Sequence, residues 1–309
     1  MSSATNPAIS EVTTVTPERW SLWLRQIRAI FNLEIRKNFL GRRSVLIYLL
    51  AFLPVILLAA VTLLAFVIGA VNTNTFTDAQ GNVVTQAHSG PFRNFNQIGS
   101  FFSVIYGVMI LRTVVFFGCA WIFMNLFRGE LVDKSLHFYF LSPVRREVLI
   151  AGKYISGIAT SAILFTLTTV VSMLLLYVPN FPSESSRFFF DGAGLGHLLS
   201  YAGITVLACI GYGAFFLVIG LFFRNPIIPA LLLYGWEWLN FLLPPLLKKI
   251  SVIHYLNSLV PIRMSEGPLA VIAEPTPAWI AIPSLLIVTA IVLIGASFRI
   301  QHLEIKYGD

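Results

Sequence analysis

Residues 45–71 read VLIYLLAFLPVILLAAVTLLAFVIGAV and contain no charged side chain. A helix needs about 20 apolar residues to cross the roughly 30 Å hydrocarbon core of a bilayer, so this run is long enough to span it. The chain has 309 residues, of which 57% are hydrophobic and 11% are charged, and its mean hydropathy is +0.80. A soluble core of this size does not need so much apolar surface. The sequence therefore predicts a polytopic membrane protein.

Five more long apolar runs follow the first one. They lie at 101–127, 154–178, 198–223, 227–247 and 279–298. Backbone N–H and C=O groups in hydrocarbon must hydrogen-bond within the protein, so runs of this length are expected to be helices. The predicted fold class is an all-α integral membrane protein, with six transmembrane helices over 44–298.

The distribution of basic residues predicts the orientation. Six crossings put both termini on one side, and most of the 21 Lys and Arg residues fall on that side. The opposite side holds Arg93, Arg187, Lys248, Lys249 and Arg263. Because cytoplasmic segments near span ends are enriched in Lys and Arg, both termini are expected to be cytoplasmic, in the cytoplasmic (inner) membrane of the cell. The net charge of +7 then reflects this bias and contact with anionic lipid. No nucleic-acid partner is expected.

The chain before the first span divides into two parts. Residues 1–17 are polar and rich in Ser and Thr, and they predict a disordered cytoplasmic tail without a cleavable signal, as 299–309 predict a second tail. Residues 18–43 predict an amphipathic interfacial helix. Its apolar residues are Trp20, Trp23, Leu24, Ile27, Ile30 and Phe31, and the polar face has Arg25, Arg28, Asn32 and Arg36. The pattern fits an anchor and a moving part equally well.

A charged and aromatic segment, 128–153, separates the second and third runs and reads RGELVDKSLHFYFLSPVRREVLIAGK. Pro143 divides it, because helices tend to stop before a proline. We expect a short helix to about Leu141, a turn at Ser142 and Pro143, and a new helix that continues into the third span. An ordinary charged loop is the alternative.

This segment resembles the signature of type-2 ATP-binding-cassette (ABC-2) permeases, which is roughly E-x-x-x-G-[TS]-L-x-x-L-L-x-x-P-V-x-R-x-x-I-x-x-K. The matching residues are Glu130, Ser135, Leu136, Phe140, Pro143, Val144, Arg146, Ile150, Gly152 and Lys153. The sequence departs from the pattern at Lys134 and His137. Together with the interfacial helix and the six runs, the resemblance covers nearly the whole chain.

The resemblance implies an exporter subunit without an ATPase of its own, and the sequence has no G-x-x-x-x-G-K-[ST] motif. It implies two copies of a cytosolic ABC ATPase that bind ATP and Mg, no cofactor in this chain, and a second permease chain that is identical or a paralogue. In the family, the segment between spans 2 and 3 holds a coupling helix that seats in the ATPase. The candidate ATPase-coupling residues are Glu130, Phe138, Tyr139, Phe140, Pro143, Arg145 and Arg146.

Two further sites are candidates. Arg112 and Glu237 lie within apolar runs, where a charge costs at least about 2.5 to 3.5 kcal/mol, so they should pair, line a path, or form a structural ion pair within one subunit. Val252, Ile253, Leu256 and Leu259 recur at helical spacing before the last run. In the family, re-entrant helices at this place close the outer end of the path, which makes these residues a candidate outer gate; a plain interfacial helix is the alternative.

Other function classes have less support. An intramembrane enzyme would need a nucleophile with a base or clustered metal ligands, and the sequence has neither H-E-x-x-H nor G-x-S-x-G. We therefore expect no enzymatic activity in this chain. An ATP-independent channel or secondary transporter is the main alternative, although the sequence shows no convincing inverted repeat. Nothing in the sequence singles out a substrate or sets the direction of transport.

Overall fold

The structure is a computed structural model of the chain, and it describes residues 19–41, 44–71, 74–77, 83–86, 92, 95–132, 146–180, 182–223, 225–262 and 274–301. The helices are α1 (Arg19–Leu40), α2 (Ser44–Val71), α3 (Phe95–Ile105), α4 (Phe116–Val132), α5 (Arg146–Asn180), α6 (Pro182–Phe190), α7 (Gly194–Phe222), α8 (Ile227–Trp238), α9 (Pro245–Lys248), α10 (Val252–Leu259) and α11 (Ala278–Gln301). A π-helical stretch, Tyr106–Val115, joins α3 to α4, and a 3₁₀ turn, Leu239–Leu242, extends α8. An antiparallel hairpin of β1 (Asn74–Thr77) and β2 (Val83–Gln86) lies between α2 and α3.

Within the described residues, five stretches of helix are long and apolar enough to cross a membrane. They are Ser44–Leu64, Gln97–Leu126, Glu147–Pro179, Gly194–Phe222 and Ala278–Phe298. The helical, multi-pass membrane architecture predicted from the sequence is confirmed at this level. The short β-hairpin, which the sequence did not predict, is the exception to an all-helical chain.

The predicted span 227–247 is wrong as a single helix. α8 and its 3₁₀ extension end at Leu242, before Pro244 and Pro245. Proline has no N–H to donate and disfavours helix in the residue before it, so the helix cannot continue through this pair. At 1.5 Å per α-helical and about 2 Å per 3₁₀ residue, the stretch is about 26 Å long, a little short of the bilayer core.

The core forms around α5 and α7, which pack against each other. α4 packs along α7, while α2 and α11 lie outside, against α5 and α7 respectively. Phe123 of α4 sits where Gly157 and Gly213 leave room, since a Cβ on either glycine would approach its ring to 2.6 or 2.5 Å. Glycine is required at these two positions because the helices approach closely there.

Both ends of the described chain lie at the same end of the bundle. Glu34 of α1 contacts Lys153 near the start of α5. The last turns of α11 share a cavity with that start, lined by Glu147, Ile150 and Ile294 among others.

The segment from α8 to Ile262 carries the chain across the bundle in pieces. It begins just after α7 ends, and its last described residue, Ile262, lies at the far end of the bundle, against Gly99 and Tyr177. The Ser103 hydroxyl donates a hydrogen bond to the Ile262 carbonyl. Between these two ends, the segment consists of α8, a fold back through α9, and the half-length helix α10.

Candidate functional site

Glu237 is a buried carboxylate, 3% exposed, on the last turn of α8. Its Oε1 accepts the backbone N–H of Val252 at 3.1 Å, and its Oε2 accepts the N–H of Ile253 at 2.9 Å. Oε2 also accepts the hydroxyls of Ser251, at 2.7 Å, and Tyr212, at 3.3 Å. Glu237 thus caps the N-terminus of α10 from a neighbouring helix.

The break after α8 creates a new helix N-terminus at α10, whose backbone N–H groups need acceptors. The first N–H groups of any helix have no partner within it, and in a membrane interior water cannot supply one. Ser251 stands at the N-cap position with extended backbone, but its side chain makes no cap bond to α10 and donates to Glu237 instead. A carboxylate at a helix N-terminus also complements the partial positive charge there.

The far half of α10 is held by hydrogen bonds to the chain before α11. His254 Nε2 lies 3.1 Å from the Thr276 hydroxyl, and the Thr276 N–H donates to Ser258 Oγ at 3.2 Å. With the bond from Ser103 to Ile262, α10 is fixed at both ends. This half-helix is therefore tied to α3, α8 and the start of α11.

Arg112 lies on the π-helical stretch before α4 and is 6% exposed. The carbon of its guanidinium lies 5.9 Å from the ring centroid of Trp238, within the range of a cation–π contact. Its Nε is buried with no hydrogen-bond partner among the described atoms. π-Helical stretches are rare and frequently occur at functional sites, and an unpartnered guanidinium N–H is uncommon in a buried place.

Arg112 and Glu237 do not pair directly, although Arg112 contacts the turn of α8 that contains Glu237. Glu237 points to α7 and α10, whereas the next residue, Trp238, contacts Arg112. Among the ion pairs between described residues, none within 4 Å joins Arg112 to Glu237. The hydroxyl of Tyr212 lies near both charges. The expectation that Arg112 and Glu237 form an ion pair is therefore wrong for this conformation. Glu237 caps α10, and Arg112 is a separate buried cation.

The candidate outer-gate residues lie on α10 and mostly face inward. Val252, Ile253 and Leu256 are buried, and Leu259 is half-buried against the core. α10 packs against α7 and α11. In this conformation these side chains hold the half-helix within its own subunit.

A second buried charge cluster links α1, α4 and α5, and we call it the junction. Lys153 Nζ donates to Glu34 Oε1 at 2.6 Å and to the Leu126 carbonyl at 2.9 Å. Both charged side chains are almost completely buried. Gly152 lets α1 approach, because a Cβ there would meet Ile30 at about 3.0 Å. The junction joins the interfacial helix to both helices that flank the charged segment.

The predicted coupling residues fall mostly outside the described part of the chain. Phe138, Tyr139, Phe140, Pro143 and Arg145 lie within 133–145, which the structure does not describe. Glu130 belongs to α4 and Arg146 begins α5. What the structure describes of the segment is its two helical borders.

Sequence reasoning missed Glu34, Tyr212 and Ser251. For Glu34 a signal was present: it follows Ile30 by one helical turn and so lies on the apolar face of α1, where a carboxylate needs a buried partner. Tyr212 and Ser251 carry no such local signal. Their role arises only when the chain folds back after α8.

The described residues do not bring together a set for metal binding. No three His, Cys, Asp or Glu side chains among them are grouped closely enough to hold an ion. No family model, curated protein or solved structure matches this chain significantly. Its function must therefore be argued from its own residues and geometry.

Proposed function

We propose that this chain is the membrane-spanning permease subunit of an ABC-2 type exporter, driven by a separate ATPase chain. The observation that carries the proposal is the junction. Lys153 closes the signature-like run, and it is the residue that ties the interfacial helix to the start of α5. A push on the segment between α4 and α5 would be transmitted through it to α1 and to the two spans that begin and end at the segment.

The broken crossing also supports the proposal. Residues 227–262 form a short helix and a half-helix before the last span, where the resemblance implies re-entrant helices at the outer end of a path. Buried hydrogen bonds at both ends give α10 a defined resting position. An element with such a position can serve as a gate that moves as a unit.

The placement of the chain ends supports a topology with six crossings. α1 and the end of α11 lie at one end of the bundle, together with the borders of the charged segment. That end carries most of the Lys and Arg residues, so we assign it to the cytoplasm and the protein to the cytoplasmic membrane. A cytosolic ATPase would then meet the segment 133–145, and a second permease chain would complete the path.

Co-purification tests the proposal. The tagged chain is extracted from its native membranes in mild detergent, and the co-eluting proteins are identified by mass spectrometry. We expect an ABC ATPase with the wild type and its loss when Phe138, Tyr139 and Phe140 are all changed to Ala, because aromatic side chains anchor interfaces. The matched control changes Phe66 and Phe298, which are exposed on the lipid-facing sides of α2 and α11, to Ala and should retain the ATPase.

An intact, folded chain that never brings an ATPase would favour an ATP-independent channel or secondary transporter. The break between α8 and α10, with Glu237 at the start of the half-helix, favours this second candidate. Secondary transporters use broken helices with charged groups at half-helix ends. Against it, the four donors on Glu237 occupy about all the acceptor positions of a carboxylate, which leaves little capacity to bind a transported cation.

A further inference from the structure

A cleft of about 400 Å³ opens on the side of the bundle between α7, α8, α10 and α11. Its walls are largely apolar and include Phe215, Leu233, Tyr255 and Val288. The loop that leads into α10, with Lys249, Ile250 and Ser251, forms its remaining border. This space adjoins the Glu237 cap, since Glu237, Ser251 and Val252 lie along its edge.

The cleft follows from the half-length of α10. α8 and α11 both flank α7, but across the described chain they share no extensive contact with each other. α10 fills the gap between them only from Val252 onward, where Val252 and Leu285 meet at Gly211. Phe215, Leu233 and Val288 each lie about one turn further towards the other end of their helices. The gap beyond the start of α10 therefore stays open to the side.

Lys249 places a cation at this cleft. It is exposed, and no carboxylate of the described residues lies within ion-pair distance of it. Ser251, two residues on, contacts Glu237, which stands about 15 Å along α8 from Ile227 at 1.5 Å per residue. Lys249 therefore lies near the level of Glu237 in the bundle, and an ammonium group beside hydrocarbon needs an anionic partner or a path to the headgroups.

The charged groups at the cleft, Glu237 and Lys249, favour an anionic ligand over a cationic one. Glu237 already accepts hydrogen bonds from four donors, so it offers little to a cationic headgroup. Among the described residues, none pairs with the Lys249 ammonium, so its three donors can bind an anion. The apolar walls fit a hydrocarbon chain rather than a polar solute.

We propose that this cleft binds the acyl chain of an anionic amphiphile that enters from the surrounding bilayer, with the anionic group at Lys249. The proposal depends only on the membrane location of the chain and not on an ATPase partner. The site is distinct from a path between two permease chains, because every wall comes from one subunit. A fatty acid is the simplest ligand of this class.

The test uses the full-length chain in phosphatidylcholine nanodiscs and palmitic acid that carries a diazirine. After illumination, the labelled peptides are identified by mass spectrometry, and the methyl ester of the same probe gives the neutral comparison. We expect the acid to label peptides that contain Leu233, Tyr255 or Val288. Labelling should fall about tenfold with the ester, as for the loss of one charge-assisted hydrogen bond.

Variants separate the head from the tail. Lys249→Gln should lower labelling by the acid as far as the ester does, while Lys249→Arg and Arg187→Gln, the latter at another exposed cation, should retain it. Val288→Trp should fill the cleft and remove labelling there, whereas Ile287→Trp, on the adjacent lipid-facing position, should not.

Equal labelling of the wild type by acid and ester would overturn the proposal, since it would mark an ordinary lipid contact. So would labelling confined to α2, with the cleft peptides unlabelled. Because both comparisons use the wild-type chain, neither depends on a variant folding. A negative result here would leave the ATPase co-purification test unaffected.

Discussion

Single residues in this protein matter most where the backbone would otherwise lack partners. Glu237 accepts hydrogen bonds from two N–H groups of α10, and in a membrane interior water cannot replace it as their acceptor. Glu237→Ala should therefore lower the free energy of unfolding by about 2 to 5 kcal/mol, the usual loss for two buried donors left unsatisfied. Thermal unfolding in mild detergent measures the effect as a lower apparent Tm.

Two variants delimit this prediction. Glu237→Gln keeps one accepting oxygen and should lose less than Glu237→Ala. Glu274→Ala removes an exposed carboxylate before α11 and should leave the Tm unchanged. If Glu237→Ala were as stable as the wild type, the cap would not hold α10.

Arg112 is expected to behave in the opposite way. Its guanidinium has a buried unpartnered Nε and a contact with Trp238, but no direct ion pair with Glu237. Replacing a buried cation that lacks a charged partner with an apolar side chain of similar length removes a desolvation cost. Arg112→Met should therefore keep or raise the Tm in the same assay.

An unchanged or higher Tm for Arg112→Met would indicate that Arg112 has a functional role and not a structural one. A buried cation that lowers the stability of this conformation fits a role in handling a substrate or in a second conformation. A marked fall in Tm for Arg112→Met would instead assign it to the packing of α8 on the π-helical stretch.

At the scale of elements, the junction ties α1 to α4 and α5. Lys153→Met would leave the Glu34 carboxylate buried without its partner, at a cost of about 3 to 5 kcal/mol. The double change Glu34→Leu with Lys153→Met removes both charges and should recover much of that loss. Unfolding of the two single variants and the double variant gives the coupling directly.

Arg28→Met supplies the control for the junction, because Arg28 is exposed on the same helix α1. It should not change the Tm. Additive losses in the double variant would mean that Lys153 and Glu34 stabilise the fold independently, and the mechanical link between α1 and α5 would lose its basis.

The contact between α4 and α7 makes a second element-scale prediction. A Cβ at Gly220 would lie 2.8 Å from the Met124 Cα, and a backbone atom cannot move aside as a side chain can. Gly220→Ala should destabilise the protein by about 1 to 3 kcal/mol, as overpacking does. Gly203, on the same helix α7, has nothing within 4 Å of an added Cβ, so Gly203→Ala should be neutral or slightly stabilising.

The elements were predictable from the sequence to the extent that length and hydropathy determine them. Five long runs became spanning helices because nothing interrupts them, and Pro54 inside α2 does not end that helix. The run 227–247 is also strongly apolar, but its Pro244 and Pro245 end the helix before the C-terminal end of the run. Hydropathy does not register such a break. The Glu237 cap could not be predicted either, since it depends on where the chain folds back.

For the whole molecule, the number of membrane crossings can be tested directly. The placement of α1 and the end of α11 favours six crossings, with the 227–262 segment as the broken one. Cysteine labelling can test this with little background, because Cys119 and Cys209 are both buried. Arg25, Phe190 and Leu246 are exposed positions for single Cys substitutions.

Six crossings place Phe190→Cys outside, so a membrane-impermeant maleimide should label it in intact cells. Labelling of Leu246→Cys would show in addition that the fold-back after α8 reaches the outer side. Arg25→Cys and a C-terminal epitope tag should react only after the membrane is opened, because both termini then face the cytoplasm. The pair at 190 and 246 is the decisive one: these positions precede and follow α7 together with α8, two segments that run in opposite directions. If Leu246→Cys were protected while Phe190→Cys was labelled, α8 would not reach the outer side. Protection of Phe190→Cys, or labelling of Arg25→Cys in intact cells, would contradict the topology with six crossings.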